Sequence, residues 1–272
     1  MILHLNIILR FIKKAFLIFF LAYIGLGIML FVFQEKYIYY PDTTDFQNCP
    51  AFQNAEKVSF GSGRGYLTKR SPEMIIVYYH GNAGRACDRA YLDSFFAEQG
   101  HSTFFVEYSG YGEKENKPSM AGLLGNVTDT IGFLETQEFK TIVVIGESVG
   151  AGPAAYHTVH ANIANLILIT AYTNLADVAS SYYPVYPMRL LLRNNFTPDA
   201  WLADYKGSVS VILAEHDEVI PNALGKKLFE GLSSDVKEIY SIKNAGHNTL
   251  YEKEEFFDAV KKALEEDKVS PD

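Results

Sequence analysis

The sequence predicts an α/β fold in which a mostly parallel sheet carries helices on both faces. Short apolar runs typical of buried strands alternate with longer segments of helical periodicity, and this alternation favours parallel strands joined by right-handed crossovers. No sequence repeat occurs at a fixed period, which argues against a solenoid. Apolar residues make up 48% of the 272 residues, enough to build a large core.

The first predicted element is a membrane anchor. Residues Ala15 to Phe33 form an uncharged apolar stretch of about 19 residues, long enough for one helix to span a bilayer. Arg10, Lys13 and Lys14 precede it, so the positive-inside rule predicts a cytoplasmic N-terminus and an extracytoplasmic domain, periplasmic in a bacterium. A cleaved signal peptide and a buried helix of a soluble protein are the alternatives, and the length of the stretch disfavours both.

The anchor prediction sets the domain bounds. The cytoplasmic tip and anchor are expected over residues 1–36, the soluble domain over residues 37–268 and a polar tail over residues 269–272. Tyr37, Tyr39 and Tyr40 are expected at the far membrane interface, where amphipathic rings are favoured.

The soluble domain is predicted to begin, after a linker, with an antiparallel hairpin over residues 56–60 and 65–69, because two short runs flank a glycine-rich turn. The later predicted strands lie at residues 74–79, 103–108, 141–145, 166–169, 209–214 and 237–242. The predicted helices lie at residues 89–100, 120–134, 151–160, 222–230 and 254–264.

One segment, from about residue 172 to 207, interrupts this alternation. Some 35 residues without a strand pattern are long for a simple loop. They contain the aromatic run YYPVYPM at residues 182–188 and three leucines at residues 190–192. Their density predicts an inserted helical pair that also serves as a lid, adding an apolar wall to a substrate pocket.

The motif Gly146-Glu147-Ser148-Val149-Gly150 lies between a predicted strand and a predicted helix. In this strand–turn–helix context, a G-x-S-x-G motif is typical of the nucleophile elbow of serine hydrolases. The flanking glycines remove the Cβ atoms that would clash in so sharp a turn. Ser148 is therefore the candidate nucleophile.

A serine hydroxyl needs a base and an orienting acid, and two later loops supply them. Asp217 follows the strand at residues 209–214, and His247 follows the strand at residues 237–242. The order serine, acid, histidine is that of the α/β hydrolases. Glu218 is the alternative acid, whereas His216, on the acid's own loop, is predicted to be only a neighbour.

Acyl transfer also needs N–H donors for the developing oxyanion. The backbone N–H of Val149, just after the nucleophile, is one candidate donor. The backbone N–H of Asn82, in the turn after the strand at residues 74–79, is the other. His80 in that turn is predicted to brace the loop, and Glu147 to face solvent or brace a loop.

The remaining histidines and cysteines suggest no metal site. His157 and His160 lie at i, i+3 on one helix, but no third ligand is evident, so a solvated helix face is the favoured interpretation. Cys49 and Cys87 have no metal-type spacing. They are predicted to be unpaired thiols, although they could pair if the domain faces an oxidising compartment.

Five motifs together resemble the α/β-hydrolase fold superfamily: HGNAG at residues 80–84, YSGYG at 108–112, GESVG at 146–150, HDEVIP at 216–221 and AGHN at 245–248. Within that superfamily, the chain resembles membrane-anchored serine hydrolases related to protein depalmitoylases and their bacterial relatives. The resemblance covers residues 37–264 and implies that fold. It also implies roles for Ser148 as nucleophile, Asp217 as acid, His247 as base, and Asn82 and Val149 as oxyanion donors. Unlike the eukaryotic depalmitoylases, the chain has no N-terminal cysteine cluster for lipid anchoring.

The predicted function is hydrolysis of carboxylic esters or thioesters, with acyl-chain substrates favoured by the apolar lid and the anchor. A serine peptidase or amidase acting on short peptides, or a non-catalytic membrane-anchored binding protein, are the alternatives. No cofactor and no metal are implied. The formal charge of −8 argues against a nucleic-acid partner. The expected partners are a small-molecule or lipid-like acyl substrate and the membrane, with no obligate protein partner.

Overall fold

A computed structural model describes residues 2–265 of the chain and places eight strands in one central sheet. The strands are, in chain order, β1 (Tyr40–Pro41), β2 (Glu56–Phe60), β3 (Gly63–Thr68), β4 (Met74–Tyr79), β5 (Ala83–Gly84), β6 (Ser102–Glu107), β7 (Thr141–Glu147), β8 (Asn165–Ile169), β9 (Ser208–Ala214) and β10 (Lys237–Ile242). The short strands β1 and β5 pair with each other in a separate two-stranded sheet.

The central sheet has the spatial order β10-β9-β8-β7-β4-β6-β3-β2. All neighbours pair in parallel except β3, which is antiparallel to both β2 and β6. The strand order reverses at β4, which lies between β6 and β7. Open α/β sheets bind their ligands at such a switch point, beyond the carboxyl ends of the strands.

Helices cover both faces of the sheet, as the alternation predicts. The helices are, in chain order, α1 (Ile2–Ile38), α2 (Ala90–Glu98), α3 (Met120–Glu135), α4 (Ala151–His160), α5 (Leu175–Tyr182), α6 (Met188–Leu191), α7 (Pro198–Trp201), α8 (Asn222–Gly231) and α9 (Glu254–Glu265). Short 3₁₀ turns lie at Pro50–Phe52, Ala86–Arg89, Ser148–Gly150 and Leu250–Glu252.

Two apolar cores lie on opposite faces of the sheet. Along β4, Ile75, Val77 and Tyr79 belong to the core that α3, α4 and α8 cover. The intervening Ile76 and Tyr78 belong to the core beneath α2 and α9. Both sets are buried, which explains why this strand is an unbroken apolar run rather than an alternating one.

The segment at residues 172–207, called the insert below, contains three short helices, α5 to α7, rather than the expected pair. Pro184, Pro187 and Pro198 divide it, because proline lacks an N–H and cannot continue a helix. The predicted tail at residues 269–272 and the predicted domain end at residue 268 lie outside the described residues.

The N-terminal helix α1 extends well beyond the predicted apolar stretch. Its segment Asn6–Ile38 has a mean hydropathy of 2.7 and is a candidate membrane span by length and composition. Tyr37 and Tyr40 are exposed near its end, but the expectation for Tyr39 is wrong. That ring is buried, and its hydroxyl donates a hydrogen bond of 3.3 Å to Asn194 Oδ1 of the insert.

The prediction of unpaired thiols is also wrong, because Cys49 and Cys87 form a disulfide bond. Their Cα atoms are 5.9 Å apart, within the range that a disulfide requires. The bond joins the linker that follows α1 to the 3₁₀ turn at residues 86–89. Arg85 reinforces this connection by donating hydrogen bonds of 3.0 Å to the carbonyls of Thr44, Asp45 and Asn48.

Candidate active site

Ser148 lies at the sharp turn between β7 and α4. Its φ of 52° is in the left-handed region, which non-glycine residues rarely adopt, so the backbone is strained there. A Cβ at Gly146 would lie 2.5 Å from the Ala154 Cβ, and one at Gly150 would lie 2.6 Å from the His80 carbonyl oxygen. Both glycines are therefore required by close packing, as the elbow motif predicts.

The structure brings Ser148, His247 and Asp217 together from three separate loops. Ser148 Oγ is 3.1 Å from His247 Nε2. His247 Nδ1 is 2.9 Å and 3.0 Å from the two carboxylate oxygens of Asp217. With Nδ1 protonated and donating to Asp217, Nε2 is free to accept the serine proton. This arrangement has the geometry of a serine hydrolase triad.

The acid loop distinguishes Asp217 from its neighbours. Asp217 Oδ1 accepts hydrogen bonds from the backbone N–H groups of Val219 (2.9 Å) and Ile220 (2.7 Å), which fix the carboxylate toward the histidine. Glu218 instead accepts a hydrogen bond of 3.1 Å from the His247 backbone N–H, and so supports the histidine loop. His216 is exposed beside Glu215, as expected of a neighbour.

Asn82 and Val149 line the cavity above Ser148. The C-terminal end of α1 and the strand after it hold Asn82 in place. The Asn82 side-chain amide donates a hydrogen bond of 3.0 Å to the Ile38 carbonyl, and the Asn82 carbonyl accepts one of 3.0 Å from the Tyr40 N–H. The Tyr111 hydroxyl donates a further hydrogen bond of 2.8 Å to the Asn82 carbonyl. The place of Asn82 in the cavity wall, and the hydrogen bonds that hold it there, fit its predicted role as an oxyanion donor.

Glu147, next to the nucleophile, belongs to a buried ion pair. Arg89 donates hydrogen bonds of 2.7 Å and 3.1 Å to its two carboxylate oxygens, and the Tyr78 hydroxyl donates another of 2.8 Å. Burial alone would raise the pKa of Glu147, but the Arg89 guanidinium and the Tyr78 hydroxyl outweigh it, so the pKa is lowered. Glu147 is therefore an ionised carboxylate that braces the elbow. Its partner, Arg89, could not be identified from the sequence.

Two further histidines are buried away from the triad. His80 packs its ring against Tyr108 and Tyr111 and lies 3.4 Å from Glu107, consistent with the predicted bracing role. The expectation of a solvated His157 is wrong. That ring is buried with Nδ1 2.7 Å from the Tyr79 hydroxyl, and burial lowers its pKa to about 3. Within residues 2–265, no group of three or more His, Cys, Asp or Glu is placed to hold a metal ion.

Ser148 lines a cavity of about 350 Å³ whose walls are mostly apolar. The insert supplies one wall with residues of α5 and α6, among them Val178, Tyr182 and Met188. Val219 and Ile220 contribute from the acid loop. The remaining wall is the C-terminal part of α1, with Leu30, Gln34, Tyr37 and Ile38. The sequence did not reveal this contribution, because the contact joins segments about 150 residues apart.

Solved structures with a similar fold include esterases and hydrolases. The esterase PF2001 of Pyrococcus furiosus aligns with a TM-score of 0.65 and 14% identity, over 84% of this chain and 97% of that structure. MGS-MChE2, an α/β-hydrolase enzyme from a lagoon-sediment metagenome, aligns with a TM-score of 0.60 and 17% identity, over 79% of this chain and its full length. The chain has the α/β-hydrolase fold.

Curated relatives also match much of the chain. The uncharacterized protein Rv2307c of Mycobacterium tuberculosis is 25% identical over 261 residues, or 90% of this chain and 92% of the relative. The uncharacterized membrane protein YNL320W of Saccharomyces cerevisiae is 26% identical over 183 residues, or 64% of each chain. No family model matches the sequence.

Proposed function

We propose that this protein is a membrane-anchored serine hydrolase that cleaves carboxylic esters or thioesters of acyl chains. The observation that carries the proposal is the hydrogen-bonded series Ser148–His247–Asp217 at the floor of an apolar cavity. Esterases and hydrolases among the structural neighbours support the same reaction class. The proposed relation to the depalmitoylase-like branch rests on the sequence motifs.

The proposed reaction uses these residues in two half-reactions. Ser148 Oγ attacks the acyl carbonyl carbon while His247 Nε2 takes its proton, and Asp217 stabilises the imidazolium. The N–H groups of Asn82 and Val149 stabilise the oxyanion of the tetrahedral intermediate. His247 then protonates the departing alcohol or thiol as the C–O or C–S bond breaks. Water, deprotonated by His247, hydrolyses the acyl-enzyme and regenerates Ser148.

The walls of the cavity favour an acyl chain over a peptide. Leu30, Val178, Met188 and Ile220 offer apolar surface, whereas a peptide substrate needs partners for its backbone N–H and C=O groups. The insert is proposed as the lid of this cavity. An ester or thioester with an aliphatic acyl group is therefore the preferred substrate class.

The proposed topology places the N-terminus in the cytoplasm and the domain outside it. Arg10, Lys13 and Lys14 before the apolar stretch support this orientation. The Cys49–Cys87 disulfide supports it independently, because disulfides persist mainly in oxidising compartments. A periplasm-active reporter fused after Asp272 is expected to be active, and activity of a cytoplasmic reporter at that site instead would contradict the topology.

A fluorophosphonate probe tests the enzyme proposal directly. The intact protein is expected to become labelled, and Ser148→Ala to remain unlabelled. Failure of the intact protein to label, or equal labelling of the variant, would favour the non-catalytic alternative. A panel of nitrophenyl esters, thioesters and aminoacyl amides then measures the substrate class; faster turnover of the amides would favour the peptidase alternative.

A further inference from the structure

Helix α1, the proposed membrane anchor and called the anchor helix here, makes specific contacts with the insert. The rings of Tyr23 and Tyr186 are stacked with their centroids 4.5 Å apart. The Tyr23 hydroxyl donates to the Val185 carbonyl, and the Tyr186 hydroxyl donates to the Tyr23 carbonyl, each at 2.9 Å. These reciprocal contacts fix the insert against the helix about midway along its length.

A second contact lies closer to the soluble domain. Gln34 is only 4% exposed, and its Oε1 accepts a hydrogen bond of 2.6 Å from the Arg193 backbone N–H. Its Nε2 donates to the Leu191 carbonyl at 3.3 Å. A buried amide in an apolar helix is costly unless it is paired, so this contact fixes the register between helix and insert.

Between these two contacts lies an apolar groove of about 310 Å³. The helix lines it with Ile24, Gly27, Ile28 and Phe31, and the insert with Tyr186 and Leu191. Gly27 lets the Tyr186 ring approach the helix, since a Cβ there would lie 3.2 Å from the ring.

The groove lies at the depth of lipid chains. At 1.5 Å per residue, Phe31 and Ile24 lie roughly 3 Å and 14 Å inside the end of the apolar stretch at Phe33. One leaflet of the hydrocarbon core is about 15 Å thick, so the groove faces the leaflet next to the domain. On the insert, Val185 and Leu190 are 70% and 82% exposed, which suits contact with lipid better than contact with water.

Only a thin partition separates this groove from the catalytic cavity. Leu30 and Met188 line the cavity, while their chain neighbours Phe31 and Pro187 line the groove. Leu30, Met188 and Tyr186 pack together as one small cluster. Methionine is unbranched and changes rotamer readily, so this partition can open without moving the sheet.

We propose that the substrate is an amphiphile of the bilayer whose acyl chain reaches Ser148 laterally, through the groove between the anchor helix and the insert. This inference rests on the proposed function. The chain slides from the leaflet past Leu30 and Met188 into the cavity, and its carbonyl carbon reaches Ser148 without the chain crossing water. The groove thereby makes the anchor helix part of the substrate-binding site.

The test uses the full-length protein in phosphatidylcholine vesicles and two esters with the same leaving group. 4-Methylumbelliferyl palmitate partitions into the bilayer, whereas 4-methylumbelliferyl butyrate is delivered from water. Gly27→Leu fills the groove, and the ratio of palmitate to butyrate hydrolysis is expected to fall about tenfold or more. Gly25→Leu is the matched control, because a Cβ at Gly25 has nothing within 4 Å, and the ratio should stay as in the wild type.

A second pair keeps the test decisive if Gly27→Leu does not fold. Ile28→Trp narrows the groove at a residue that is 59% exposed, and Ile18→Trp is its control, 66% exposed and away from the groove. Labelling of Ser148 by a small water-soluble fluorophosphonate reports whether the site of each variant is intact. A wild-type ratio in an intact groove variant would overturn the lateral route. Absence of labelling and of hydrolysis in the wild type would instead overturn the proposed function.

Discussion

The two sides of the candidate site are built differently. On the sheet side, Ser148, Asp217 and His247 follow strands of one sheet, and each is almost completely buried and hydrogen-bonded. On the side of the proposed membrane anchor, called the membrane side here, α1 contributes a wall although most of its side chains are exposed. The difference indicates that the three triad residues are held by the sheet and its loops, whereas one wall of the cavity depends on a helix that the rest of the chain covers only in part.

The largest expected effect comes from the sheet side. Asp217→Asn should lower kcat by about 10⁴-fold, because the amide no longer holds His247 in the tautomer that accepts the serine proton. Ser148→Ala should lower kcat on the order of 10⁶-fold. Hydrolysis of 4-methylumbelliferyl butyrate measures both. Glu218→Gln is the control; a loss as large as that of Asp217→Asn would transfer the acid role to Glu218.

The sheet side was also the predictable side. Ser148, Asp217 and His247 could be placed from sequence because each follows an apolar run, and carboxyl ends of parallel strands meet at one edge. The Cys49–Cys87 disulfide could not be predicted in the same way, because the spacing of two cysteines along the chain does not show whether they are close in space. The prediction for His157 is wrong because it paired this residue with His160 and, with no third metal ligand evident, favoured a solvated helix face. The small apolar residues before it, Pro153 and Ala154, indicate a buried helix face instead.

The next effect tests whether the elbow depends on its buried ion pair. Arg89→Met leaves the Glu147 carboxylate buried without its cation, which should cost about 3–5 kcal/mol of unfolding free energy. Lys140→Met is the matched control. It breaks the exposed Lys140–Glu73 pair, also 2.7 Å long, and should cost about 0–1 kcal/mol. Urea unfolding measures both variants. Equal losses of unfolding free energy in the two would contradict the argument that burial makes the Arg89–Glu147 pair the stronger one.

The unfolding free energy lost in Arg89→Met should depend on pH, and the pKa of Glu147 gives the direction. The lowered folded-state pKa of Glu147 means that its ionised form contributes stability above its unfolded pKa of about 4.3. That contribution is lost as the pH falls through the folded-state pKa. The difference between wild type and Arg89→Met should therefore be largest near neutral pH and shrink in acid.

A smaller effect concerns His157, on the buried face of α4. Its folded-state pKa of about 3 lies below the unfolded value of about 6.5, so the unfolded chain binds the proton better. Below about pH 6.5 this group should lower the unfolding free energy by up to about 1.4 kcal/mol per pH unit. His157→Phe should flatten the dependence of Tm on pH between about 6.5 and 4.5. His160→Gln, at an exposed position on the same helix, removes only the smaller, coulombic cause of the lowered pKa and should change this dependence far less.

The smallest effect belongs to the membrane side. Gln34→Met preserves shape but removes the partners of the Arg193 N–H and the Leu191 carbonyl, at a cost of about 1 kcal/mol. Because the triad does not depend on this contact, only the insert should loosen. Amide hydrogen exchange in micelles should accelerate several-fold at residues 191–194 and stay unchanged in β7. Gln99→Met, which removes a side-chain hydrogen bond to the Phe95 carbonyl at the end of α2, is the control. Faster exchange in β7 of the Gln34 variant would show that the anchor helix supports the sheet as well, and the two sides would then not be separable.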